Sequence, residues 1–376
     1  MSREITLNSL LTDLDDSDKK TVLKDYNEYK KLCGDNSLFR YIPPIIGKKK
    51  RIIAIGDLHG DWNLTLKILK IAKVIDNNNK WSGGETVVVQ VGDQIDRCRP
   101  WASNQMCDME DVTLNDEASD EKIMKFMTDL NEQARKDGGM VISLLGNHEL
   151  LNSLGNMNYV SRKGLLEYGN TVESGKAERI KLFSPGNRIG NFMGCNRLSF
   201  VIIGSFIFVH GGLTNEIVNN LKLKNRNDLV KINRAVRKWL LTKGNLESKF
   251  KQWLLSLINT DNINNILTGE VEGSIFWSRI LGTMEMNKSM SSCNKYLDKV
   301  LKIFKLSGMI IGHTPQSFNK HVHAGINSTC DESVWRIDIG ASKAFDIFDT
   351  DKSESSLRKP QCLEILDDGK EFNILS

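Results

Sequence analysis

Five short clusters along the chain set a glycine beside side chains that can ligate a metal or carry a proton. In order they are Gly56-Asp57-Leu58-His59-Gly60, Gly92-Asp93-Gln94-Ile95-Asp96-Arg97, Gly146-Asn147-His148-Glu149, His210-Gly211-Gly212 and Gly312-His313-Thr314. Four of the chain's six histidines fall within them. The glycines let the backbone turn sharply, so that oxygen and imidazole donors can converge. A mixed carboxylate, imidazole and amide set suits Mn, Fe or Zn better than Ca or Mg, which prefer all-oxygen shells. Taken singly, a Gly-Asp after a strand is usually a helix cap or a turn, and Asn-His-Glu is a plausible cap as well. A given tetrapeptide such as Gly-Asn-His-Glu, however, occurs by chance in roughly 0.2% of chains this long. Five clusters in one chain therefore read as a single site.

Such a site needs elements that end where the clusters begin. RIIAIGD and ETVVVQVGD are β-branched runs that stop at Gly-Asp, and GGMVISLLGN stops at Gly-Asn. Leu64, Leu66, Ile68, Leu69, Ile71 and Ala72 form an apolar helical face between the first two runs, and KIMKFMTDLNEQARK is amphipathic between the second and third. This is the strand–helix–strand pattern of an α/β protein, whose sites lie at the C-terminal ends of strands. SFVIIGSFIFVHGG reads as two strands hinged at Gly204, and MIIGHT, KHVHAGI and VWRIDIG return to strand near the end. The expected organisation is an N-terminal helical arm over 1–44, a catalytic domain over 45–350 and a polar C-terminal tail over 351–376. Within the domain, an acidic loop is expected over 98–121 and a mostly helical segment over 214–270.

Composition narrows the class. Of 376 residues, 40% are hydrophobic and 26% charged, which excludes wholesale disorder. A net charge of +4 is too balanced for a continuous nucleic-acid-binding surface. No apolar run reaches the length of a membrane span, and the acid-bearing N-terminus does not read as a signal or transit peptide. Seven scattered cysteines without CxxC spacing are expected as reduced thiols, giving a cytoplasmic expectation with a nuclear alternative.

GDLHGD, GDQIDR, GNHE, HGG and GH resemble the signature of the calcineurin-like metallophosphoesterases, in their phosphoprotein phosphatase branch. With INRAVRKWL, FWSR, GHTPQ and WRIDIGASKAF, the stretch over about 50–345 is most similar to the Shewanella-like protein phosphatases. The resemblance implies a two-sheet β-sandwich flanked by helices, with a dinuclear centre at the strand ends. It implies Asp57 and His59 on one metal, Asp93 bridging, and Asn147, His210 and His313 completing the second. Two ions roughly 3.5–4 Å apart bring a shared water's pKa toward ~7, giving a hydroxide for in-line attack on a phosphate ester. The resemblance further implies His148 as general acid with Asp96 hydrogen-bonded behind it, and Arg97 and Arg279 as a phosphate clamp. The substrate so implied is a phosphoprotein bearing phosphoserine, phosphothreonine or phosphotyrosine.

Departures and side readings temper this. Cys98 stands where the family carries glycine, and seven acids crowd Asp108–Glu121, either a solvated excursion or a rim that repels polyanions. The inhibitor-binding C-terminal segment of the toxin-sensitive Ser/Thr phosphatases is replaced by IDIGASKAF. His321 and His323 read as ordinary strand histidines, and Lys48–Arg51 as a solvated strand entry. Gly169 and Gly175-Lys176 miss the spacing of a phosphate loop, and Trp239, Leu240, Trp253, Leu254 and Leu255 read as core. The competing enzyme class is a dinucleoside tetraphosphate or RNA-cap pyrophosphohydrolase, which would use the same clusters. A non-catalytic binding module is the third reading, and the complete ligand set argues against it.

Overall fold

β-Branched runs with little room for polar side chains become strands, and their alternation decides what each face covers. The computed structural model describes residues 5–34, 41–100, 105–113, 115–243, 248–249, 252–253, 273–318, 325–349 and 358–376. Twelve strands are seen among them: β1 (Ile45–Ile46), β2 (Arg51–Ile55), β3 (Val87–Gln90), β4 (Met140–Leu144), β5 (Arg197–Leu198), β6 (Phe200–Ile203), β7 (Phe206–Val209), β8 (Gly308–Ile311), β9 (Asn327–Thr329), β10 (Val334–Arg336), β11 (Cys362–Leu366) and β12 (Glu371–Leu375). They form two six-stranded mixed sheets, ordered β1-β6-β7-β8-β10-β9 and β12-β11-β2-β3-β4-β5. The expected α/β sandwich is therefore present.

Period-two alternation explains the layers. In β2 and β3, Ile52, Ala54, Val87 and Val89 face Val201, Phe208 and Ile310 of the other sheet. Ile53, Ile55 and Val88 face outward and pack under helices Trp62–Ile71 and Asp120–Lys136 through Leu64, Ile68, Ile123 and Leu130. The second sheet buries Ile202, Ile207 and Met309 under helices Arg226–Leu240 and Met290–Phe304. Each such fully buried aliphatic side chain contributes roughly 1.5–3 kcal/mol. Parallel pairing of β2, β3 and β4 brings the ends of these strands to one edge. The hinge at Gly204 is real, with φ +57 between antiparallel β6 and β7.

The N-terminal arm is clamped down. Asp25 in helix Asp16–Cys33 pairs with Arg234 and Arg237, and Asp18 pairs with Arg226. The C-terminal tail expectation is corrected: β11 pairs antiparallel with β2, and Arg51 meets Glu364 at 2.7 Å. β11 also pairs antiparallel with β12, and the Asp367-Asp368 turn, with φ +46 and +60, closes that hairpin. Of the helical segment expected over 214–270, helices Asn215–Asn220 and Arg226–Leu240 are present, and residues 254–270 lie outside the described residues. Leu240 and Trp253 are buried and Trp239 packs on the same core, while Leu254 and Leu255 are not among the described residues.

The thiol expectation is also corrected. Cys33 pairs with Cys195, Cys98 with Cys107 and Cys293 with Cys330. Only Cys362 is free among the described residues, and burial pushes its thiol up to about 12. The separations of 162, 9 and 37 residues follow no common spacing, and the pairing removes the reduced-thiol basis for the cytoplasmic expectation. No helix among the described residues is long and apolar enough to cross a membrane. Cys33–Cys195 spans 162 residues, so its loss is expected to cost up to about 5 kcal/mol by loop entropy. Urea melts of native protein and Cys33→Ser should show the drop in midpoint, and coincident melts would mean that the bond does not secure the arm.

Candidate metal centre

Each strand delivers its cluster through a bend that ordinary residues resist. His59, Asp93, Asp96 and His313 all have positive φ (+43, +55, +73 and +67), a strained conformation that concentrates at functional sites. The surrounding packing leaves little choice. A Cβ on Gly146 would lie 2.0 Å from Asp93 Oδ1, and one on Gly92 would lie 2.5 Å from Gly146 N. Glu149, named in the third cluster but given no role from sequence, ties two bends together by accepting from the backbone N–H groups of Asp93, Gln94 and Gly146 at 2.9, 2.8 and 2.7 Å. Burial, with the nearby charge of Asp93, pushes its carboxyl up to about 7.

Asp93 stands at the middle. Its Oδ2 lies 3.2 Å from His210 Nε2, 3.8 Å from His148 Nε2 and 4.0 Å from His59 Nε2, and its Oδ1 accepts from the His148 backbone N–H at 2.9 Å. Asp57 Oδ2 is 3.7 Å from His59 Nε2, and Asn147 Oδ1 is 2.9 Å from His210 Nε2. Ligand-type atoms gather as His59–Asp93–His148 and Asp93–His210–His313. The remaining ring nitrogens are fixed by carbonyl oxygens: His59 Nδ1 at Ile95, His210 Nδ1 at Val91, and His313 Nε2 at Trp277. Such outer contacts set the tautomer that presents the other nitrogen to a metal.

The electrostatics fit divalent ions. Burial opposes ionisation of Asp93, but His210, His148 and His59 outweigh it and hold the carboxyl well below the usual range. Asp57 is pushed well above that range by burial and by the charges of Asp338 and Asp93. Burial keeps the His59 and His313 imidazoles neutral, the form that ligates. Among the described residues no Lys or Arg nitrogen lies within 4.0 Å of the Asp57, Asp93 or Asp338 carboxylates, and Asp338 Oδ2 is buried without a hydrogen-bond partner. Among the described residues these three buried carboxylates thus have at most imidazoles, and no Lys or Arg, within 4.0 Å, a charge deficit that divalent ions would fill.

Behind the centre, His148 Nδ1 meets Asp96 Oδ2 at 2.7 Å. Asn152 donates to both Asp96 oxygens at 2.9 and 3.0 Å. Arg179 joins Asn152 at 2.9 Å and Asp120 at 2.7 Å, all within the interior. No motif marked Asn152, Arg179 or Asp120, because their roles arise from contacts between distant helices.

The two arginines expected as a clamp are placed differently. Arg279 Nη1 donates to the His313 carbonyl at 2.9 Å, with the charges of Asp338, Asp57 and Asp93 nearby. Arg97 departs from the expectation: it is 2% exposed and pairs with Asp61 at 3.0 Å and Glu117 at 3.1 Å. Two carboxylates already neutralise it. The acidic loop is corrected too, since Glu117 holds Arg97, Asp120 holds Arg179 and Glu121 holds Arg188, while Asp116 is buried. That leaves Asp108, Glu110 and Asp111 without an ion pair among the described residues. Gly175 is a packing glycine whose Cβ would meet Leu165 O at 2.1 Å. His321 and His323 lie outside the described residues.

Known proteins resemble this chain in sequence and in fold. The calcineurin-like phosphoesterase family is matched over residues 50–317. An uncharacterized protein of Acanthamoeba polyphaga mimivirus is 36% identical over 269 residues, covering 67% of this chain and 98% of the relative. Shewanella-like protein phosphatase 2 of Arabidopsis thaliana is 28% identical over 333 residues, covering 79% of this chain and 72% of the relative. The structure of a cold-active protein tyrosine phosphatase superposes with TM-score 0.59 at 22% identity, covering 89% and 81% of the two chains, which shows the common fold. The family match takes in Asp57, Asp93, Asn147, His210 and His313, the residues that the two sheets gather around one buried carboxylate. By its fold, its buried donor set and this match, the chain belongs to the calcineurin-like phosphoesterase family.

Proposed function

We propose that the protein is a metal-dependent protein phosphatase acting on phosphoserine, phosphothreonine or phosphotyrosine. The observation that carries this reading is Asp93 among three imidazoles, with the His148–Asp96 pair beside it. Asp57, His59 and Asp93 would hold one ion, and Asp93, Asn147, His210 and His313 the other, with Mn, Fe or Zn suiting the donors. The bound pair would activate a water for in-line attack and neutralise phosphoryl charge. His148, held at Nδ1 by Asp96, directs Nε2 toward the centre and would protonate the departing oxygen. Arg279 would bind phosphoryl oxygens through its planar fork.

The relatives named as protein phosphatases support a protein substrate. A dinucleoside tetraphosphate or RNA cap is the alternative. Asp108, Glu110 and Asp111 would repel polyphosphate chains more than a phosphomonoester, an effect that salt weakens. With Mn²⁺ and purified protein, kcat/KM on phosphopeptides should exceed that on a dinucleoside tetraphosphate and on capped RNA. Faster cleavage of the dinucleotide or the cap than of every phosphopeptide would replace this reading with the alternative.

A further inference from the structure

Helix Val172–Phe183 turns one buried stripe inward, made of Gly175, Arg179 and Phe183. Residues spaced this way share a helix face, and the middle one is a cation where an apolar side chain would be the ordinary choice. Arg179 is 0% exposed, a costly placement unless its donors are met. They are met inside the protein: Nε by Asn152 Oδ1 at 2.9 Å, Nη1 by the Gly164 carbonyl at 3.4 Å, and Nη2 by Asp120 Oδ2 at 2.7 Å and Asp96 Oδ1 at 3.5 Å. The Phe183 ring lies against the guanidinium at 4.6 Å. No donor nitrogen is left over for a substrate phosphate, so anything Arg179 does for the reaction it does through its partners.

Two of those partners grip Asp96 from different sides. Asn152 stands between a guanidinium, which only donates, and a carboxylate, which only accepts. With its oxygen taken by Arg179, its amide nitrogen must face Asp96, where it reaches Oδ1 at 2.9 Å and Oδ2 at 3.0 Å. Asp120 holds the other side: Arg179 fixes its Oδ2, and its Oδ1 accepts from the Asp96 backbone N–H at 3.2 Å. That backbone has φ +73, a conformation that persists only with outside support. One guanidinium thus secures both the side chain and the backbone of Asp96, whose Oδ2 lies 2.7 Å from His148 Nδ1. None of these contacts uses an atom assigned to a metal, so they are compatible with a loaded centre.

We propose that Arg179 is the positioning residue of the proton donor: through Asn152 and Asp120 it holds Asp96, and Asp96 keeps His148 Nε2 turned toward the leaving oxygen. This rests on the phosphatase reading above, with His148 as general acid. Without the guanidinium the Asn152 amide is free to flip and Asp120 to withdraw, and the imidazole loses the fixed acceptor that orients its ring.

The test uses the full chain loaded with Mn²⁺ and compares native protein, Arg179→Lys, Asn152→Ala, His148→Asn and the double variant Arg179→Lys with His148→Asn. Turnover is measured on a phosphoserine peptide and on p-nitrophenyl phosphate, metal content by elemental analysis, and folding by thermal melts. Lysine keeps the charge, but one ammonium cannot serve Asn152 and Asp120 in a plane as the fork does. Arg179→Lys should lower kcat on the phosphopeptide by roughly 10–100-fold at native metal content, part of what a general acid contributes. The loss should be much smaller on p-nitrophenyl phosphate, whose leaving group needs little protonation, and Asn152→Ala should show the same split. In the His148→Asn background, Arg179→Lys should cost less than about twofold, because a residue that acts through His148 then has nothing to position. Equal losses on both substrates, or losses that multiply with that of His148→Asn, would reduce Arg179 to a brace between helices and overturn the proposal while the phosphatase reading stands. Should Arg179→Lys not fold, Asn152→Ala and its double variant with His148→Asn decide by the same two readings. If His148→Asn alone slows both substrates alike, the general-acid assignment falls and the proposal falls with it.

Discussion

Replacing Asp93 with Asn is expected to lower kcat by roughly 10³-fold or more in metal-replete buffer, because this one carboxylate is shared by both groups of ligand-type atoms. The change is small in shape. The amide keeps an oxygen to accept from the His148 backbone N–H, so the bend after β3 can survive. What disappears is the negative charge at Oδ2, the atom that lies 3.2 to 4.0 Å from His210, His148 and His59. An amide nitrogen there would also turn donor hydrogens toward ligand nitrogens. Elemental analysis should find fewer ions per chain, and circular dichroism should find the fold intact. Near-native turnover with metals supplied in excess would mean that the two groups of ligands do not act as one centre.

Much of that centre was legible because it depends on local punctuation. A buried strand that stops at Gly-Asp or Gly-Asn must turn there, and the ligand then lies at the sheet edge whatever the details of packing. Asp57, His59, Asp93, Asn147, His210 and His313 are all brought together as the motif order implied. Features that depend on distant partners were not legible. Arg97 lies within the second cluster, yet its ion pairs with Asp61 and Glu117 come from segments that no motif links to it. The disulfides join segments without any shared spacing. The C-terminal hairpin was missed for another reason. β12 is an edge strand with no fully buried residue, so its sequence mixes polar and apolar residues as a tail does. The Asp-Asp-Gly turn before it was the available signal.

Replacing His148 with Asn is expected to cut kcat by roughly 10²–10⁴-fold on substrates with poor leaving groups, the usual worth of a general acid. The ring is held on three sides: Asp96 at Nδ1, Tyr159 edge-on at 4.9 Å and His59 edge-on at 4.8 Å. Only Nε2 remains to exchange a proton with substrate, and it lies on the Asp93 side of the ring. Asp96 is itself fixed by Asn152 and Arg179, so the carboxylate stays in place when the imidazole is removed. The alkoxide leaving from phosphoserine or phosphothreonine needs a proton in the transition state, whereas p-nitrophenolate leaves nearly unaided. The deficit should therefore shrink as the leaving group becomes more acidic, and metal content should stay at the native level. His148 Nε2 is nevertheless 3.8 Å from Asp93 Oδ2 and falls within one group of ligand-type atoms, so a ligand role makes a different forecast. A ligand's loss would remove metal and slow every substrate alike. Measuring kcat across a series of phenyl and alkyl phosphates, alongside metal content, separates the two, and uniform loss with metal depletion would move His148 from proton donor to ligand.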